Sequence, residues 1–114
     1  MKRSFVLLFV AATLLILASF VFSDEQIQFI GDVYLPNGER APNGTPVTAY
    51  LGGSSWSTVV QSLGTYKIGG PDSNFPTGTY LIRADNGSLI GQVDVYHGQG
   101  TTTVVPNIVM KIAY

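Results

Sequence analysis

The sequence predicts an all-β fold: a seven-stranded antiparallel β-sandwich after an N-terminal hydrophobic helix. Three observations carry this. Beyond Ser23 no stretch spaces its apolar residues helically over about eleven positions. Short runs rich in Val, Ile, Thr and Tyr alternate there with Gly, Pro, Asn and Asp, the signature of strands and turns. All 13 glycines and all 6 prolines of the 114 residues also lie beyond Ser23.

Residues 1–23 form one unit and residues 24–114 the other. Met1-Lys2-Arg3-Ser4 leads into an apolar run from Phe5 to Phe22, broken only by Thr13 and Ser19. A basic start before such a run is the pattern of a secretory signal peptide, and the small Ser23 places cleavage before Asp24. The run is 18 residues long, which is roughly the shortest helix that spans a bilayer. An uncleaved membrane anchor, with Lys2 and Arg3 cytoplasmic, therefore also fits. So does an assembly helix of pilin type. Either a signal or an anchor places the rest of the chain outside the cell or at its surface.

The strands follow in order. Ile27, Phe29, Val33 and Leu35 mark the first, which Pro36-Asn37-Gly38 ends. Val47, Ala49 and Leu51 alternate along the second, up to Gly52-Gly53. Trp56–Gln61, Thr65–Ile68 and Thr79–Ala84 are the third to fifth. Asp85-Asn86-Gly87 is a strong hairpin turn, because Asn-Gly accepts positive φ. Leu89–Tyr96 is the sixth strand and Thr101–Tyr114 a long seventh, where Pro106 implies an edge or a bulge. The tyrosines beyond Ser23 fall about one per strand, as half-buried rings with hydroxyls at the rim would.

The order of these pieces resembles the carboxypeptidase regulatory-like family of transthyretin-like (prealbumin-like) sandwiches. Gly31-Asp32-Val33-Tyr34, Asn37-Gly38 and Ala41-Pro42-Asn43-Gly44-Thr45-Pro46-Val47-Thr48-Ala49 are similar to that family's first strand, turn and second strand. Gly64-Thr65-Tyr66-Lys67-Ile68 and Phe75-Pro76-Thr77-Gly78-Thr79-Tyr80 resemble its G-x-Y and P-x-G-x-Y segments. The resemblance covers most of residues 29–112. It implies a Greek-key sandwich, prealbumin-like or Ig-like, and carries no catalytic group. The chain departs from the pattern at Gln61-Ser62-Leu63-Gly64 and in the Gly69–Asn74 loop.

Composition narrows the chemistry. Six Lys+Arg against seven Asp+Glu, with no basic patch, argue against a nucleic-acid partner. The absence of cysteine excludes disulfides, thiol nucleophiles and thiolate metal sites, so an exported domain must rest on packing. Beyond Ser23 the formal charge is −3, from Arg40, Lys67, Arg83 and Lys111 against all seven acids. His97, the single histidine, reads as a solvated loop residue with no second ligand to share a metal. Asp72-Ser73-Asn74 and Asp85-Asn86-Gly87-Ser88 offer oxygens to Ca²⁺ but fit no calcium-loop pattern, and Asp and Asn are ordinary turn formers. No catalytic, cofactor or metal residue is assigned, and the domain reads as non-enzymatic. Trp56 is either core filling or a contact residue, and Trp56, Tyr50 and Tyr96 are the candidate ligand contacts. Asn86 and Asn43 head glycosylation-type triplets, each also a good turn.

The role expected from this is structural or adhesive, with self-association through β-strand edges; Asp24–Leu35 and Thr101–Tyr114 are the candidate donor strands. Carbohydrate binding through Trp56 and the tyrosines is one alternative. A pilin-like filament built on the N-terminal helix is another.

Overall fold

Period-two patterning becomes real strands in the computed structural model, which describes residues 26–113. The readings of residues 1–23, including the N-terminal hydrophobic helix, lie outside the described residues. The strands are β1 (Ile27–Tyr34), β2 (Pro46–Leu51), β3 (Ser54–Val59), β4 (Thr65–Gly69), β5 (Gly78–Asp85), β6 (Leu89–His97), β7 (Thr103–Val104), β8 (Ile108–Val109) and β9 (Lys111–Ile112). One 3-10 turn, Asp72–Asn74, joins β4 to β5. The first six strands fall close to where the sequence placed them, except that the third, expected at Trp56–Gln61, starts and ends two residues earlier because the two-residue Gly52-Gly53 turn begins it at Ser54. The seventh breaks into three short pieces, with Pro106 in the gap between β7 and β8, where it has no ladder bond to donate.

Two sheets form. The larger has the order β3-β2-β5-β6-β9 and is antiparallel throughout. The smaller has β1 at its centre, with β4 antiparallel on one side and β7 and β8 parallel on the other. A wholly antiparallel arrangement therefore does not hold. The chain leaves β6 through a loop rather than a hairpin and arrives beside β1 running in the same direction. Val105 N–H and Met110 N–H donate to Ile30 O and Tyr34 O. The chain then changes sheets, and β9 pairs with the start of β6. Residues 103–112 thus stitch one sheet to the other.

The sheets share one core. Phe29 and Val33 of β1 and Tyr66 and Ile68 of β4 pack with Val47 and Ala49 of β2 and Tyr80, Ile82 and Ala84 of β5. Val105, Ile108 and Met110 complete it from the C-terminal segment. Each such aliphatic or aromatic side chain, fully buried, contributes about 1.5–3 kcal/mol. One close approach needs glycine. Gly31 pairs directly with Tyr66, and a Cβ there would lie 2.6 Å from the Tyr66 hydroxyl. The bare backbone lets the tyrosine ring cross β1.

Candidate functional site

Trp56 pairs with Ala49 and so shares its core-facing side of the larger sheet. Its ring is half-buried, 4.6 Å from that of Phe75 and 5.8 Å from that of Tyr80. Phe29 extends the cluster, 4.9 Å from Tyr80. Tyr80 donates its hydroxyl to Pro76 O at 2.7 Å, so its polar end is satisfied while its ring is buried.

His97 belongs to the same cluster, against expectation. It is fully buried at the end of β6, with its ring 4.7 Å from Phe29 and 5.7 Å edge-on from Tyr80. Period two explains this: His97 continues the inward series Val93, Val95, a continuation the neighbouring glycines disguise as loop. Its Nδ1 lies 2.7 Å from Thr103 Oγ1 of β7, and its Nε2 is buried without a partner. Burial holds the imidazole below its ordinary value, and the Asp72 carboxylate pulls the other way.

A polar knot closes this end of the core. A bulge between Ile27 and Phe29 turns Gln28 inward, where its Nε2 donates to Gly70 O and Asp72 Oδ1. The sequence offered no signal for this bulge, since Gln28 reads there as an ordinary outward residue. Asp72 is thereby engaged in holding the loop before β5. Asp85 Oδ1 likewise accepts the Gly87 N–H, and Asn86 Oδ1 accepts those of Ser88 and Leu89. Among the described residues no group of three His, Asp or Glu side chains is placed to hold a metal. Asn86 and Asn43 both sit on exposed turns.

The outer face of the larger sheet has a different character. Tyr50 lies there beneath the Arg83 guanidinium, 5.8 Å from its ring centre. Tyr96, 66% exposed, stands on the same face, and Thr48, Ser57, Gln92 and Asp94 supply hydroxyl, amide and carboxylate groups. Trp56 is on the opposite side of the sheet from Tyr50 and Tyr96. The three candidate contacts therefore do not form one surface.

The edges are the most distinctive feature. β3 ends the larger sheet and carries six residues, Ser54-Ser55-Trp56-Ser57-Thr58-Val59, with no charge, proline or bulge. Natural edges usually carry one of those guards. The other side of the sheet is open too. β9 covers only Leu89 and Ile90 of β6, and among the described residues no strand pairs with the outer edge of Gln92–Tyr96. This second edge was not foreseen, because it exists only through the sheet change at Met110. The expected donor strands are used internally: Ile27–Tyr34 is the centre of the smaller sheet, and Thr101–Tyr114 supplies β7 to β9. No protein-family model matches the sequence, and neither does any curated protein.

Proposed function

We propose that this is an exported, non-catalytic surface protein with a structural or adhesive role, which self-associates by pairing strand edges. The observation that carries the reading is the unguarded edge of β3, six uncharged residues on a regular antiparallel sheet. An edge of that kind is a template for a further strand. The two-sheet core is read as a sandwich of transthyretin-like type, with β7 to β9 counted as one interrupted seventh strand. The apolar run of residues 5–22 supports export. Mass spectrometry of the mature protein tests that part: Asp24 as first residue is expected, whereas Met1 marks an anchor and Ser4 or Phe5 a pilin-type subunit.

Light scattering on the full chain recovered after export tests the association. Concentration-dependent multimers are expected. Thr58→Lys, a charge pointing inward from the edge strand, is expected to leave a folded monomer. A wild-type protein that stays monomeric at high concentration overturns the reading. The outer face with Tyr50 and the exposed Tyr96 favours a second reading, carbohydrate binding. Glycan-array binding that is lost in Tyr96→Ala would support it.

A further inference from the structure

We propose that the β3 edge pairs with the open Gln92–Tyr96 edge of β6 in a second copy, so that the five-stranded sheets join head to tail. The inference rests on the edge-pairing reading above and names the other half of the contact.

Strand direction is the first argument. In the order β3-β2-β5-β6 every neighbour is antiparallel, so β3 and β6 run in opposite directions. A copy displaced sideways without inversion brings its β3 antiparallel to β6. The alternation then continues from one molecule to the next.

Register is the second. Setting Ser57 of the copy opposite Asp94 sets Ser55 opposite Tyr96 and Val59 opposite Gln92, all on the outer face. Trp56 then meets Val95, and Thr58 meets Val93, all on the core-facing side. Both faces continue across the joint, and a slip of one residue would exchange them. Val59, 44% exposed at the end of β3, arrives at a cleft of about 530 Å³ lined by Ile90, Gly91, Gln92, Val109, Met110 and Lys111. The cleft lies where β9 leaves off beside β6, so the incoming strand and β9 would share one line.

Charge disfavours one rival pairing. Two β6 edges facing each other about a two-fold axis bring Asp94 near Asp94, and like charges across strands are unfavourable. The β3 edge has no charge to oppose it. A contact between two unlike edges is heterologous, so copies add head to tail into a filament, or a ring where the rotation closes, rather than into a two-fold dimer.

The chain has no cysteine, so introduced thiols report without background. Full-length Ser57→Cys and Asp94→Cys proteins are prepared separately, mixed and oxidised; residues directly opposite across strands are within disulfide reach. Disulfide dimers are expected several-fold more in the mixture than in either variant alone. The double variant should give a ladder of multimers. In a second arm, Ser57→Asp faces Asp94 and should abolish multimers by light scattering, and adding Asp94→Lys should restore them. The proposal is overturned if Ser57→Cys alone cross-links as readily as the mixture, which marks β3–β3 pairing. It is equally overturned if wild-type multimers form while the mixture gives no dimer. A strictly monomeric wild type removes the edge-pairing reading itself.

Discussion

Two buried tyrosines show how a single hydroxyl decides what a ring is worth. Tyr80 donates a hydrogen bond to Pro76 O, while the Tyr66 hydroxyl is buried with no partner, and burial raises its pKa far above the usual range. An unpaired buried hydroxyl carries a desolvation cost, whereas a satisfied bond contributes about 1 kcal/mol. Tyr80→Phe is therefore expected to lower stability by about 1 kcal/mol, and Tyr66→Phe to be neutral or stabilising; urea unfolding of both compares them directly. His97 extends the argument to pH. Its pKa is lowered in the folded state from an ordinary value of 6.5. As pH falls below about 6.5 the unfolded chain takes up a proton that the folded chain refuses, so stability present above that value is lost. Protonation would also leave both ring nitrogens as donors, with Nε2 lacking an acceptor among Phe29, Phe75 and Tyr80, and the Asp72 carboxylate favouring the charged form too weakly to offset burial. The melting temperature should be flat above neutrality and fall below it. His97→Phe, which keeps a ring in place, should flatten that slope.

At the scale of the elements, turns set the strand ends. Leu63 is the only non-glycine residue with positive φ among those described, at 55°, in the Ser62-Leu63-Gly64 turn between β3 and β4. A branched side chain in the left-handed region costs about 1–2 kcal/mol, and asparagine tolerates it better. Leu63 is also largely exposed, so little packing is lost on replacing it. Leu63→Asn is expected to stabilise by up to about 1 kcal/mol, read as a raised midpoint in urea. The first six strands were legible because each has a period-two face and a Gly, Pro or Asn-Gly stop. The seventh was not, because Val105, Ile108 and Met110 are buried on a chain that changes partner from β1 to β6. Their apolar pattern reads as one strand, while the pairing that divides it is tertiary. His97 was misread for the converse reason. Glycines on either side of Gln99 advertise a loop, yet β6 ends on the histidine itself. The candidate contacts failed to converge because strand parity and the register set by the Gly52-Gly53 turn send Trp56 and Tyr50 to opposite faces.

On the scale of the whole molecule, the C-terminal segment is the joint between the sheets. Val105 and β8 hold β1 by backbone bonds, and β9 holds β6, while Gly91 leaves room for the chain to pass. A Cβ on Gly91 would lie 2.7 Å from Ile108 Cγ2 and 2.8 Å from Val109 O, so the contact is already as close as backbone allows. Removing residues 105–114 deletes three fully buried apolar side chains, Val105, Ile108 and Met110. At about 1.5–3 kcal/mol each these amount to several kcal/mol, comparable with the 5–15 kcal/mol total stability of an ordinary domain. A chain without disulfides has no cross-link to offset the loss. The same cut also uncovers the whole outer edge of β6, including Leu89 and Ile90. Truncation after Val104 is therefore expected to abolish the cooperative thermal transition seen by circular dichroism and to leave an aggregation-prone chain. A truncated protein that melts cooperatively near the full-length temperature would show that the two sheets hold together without this strap.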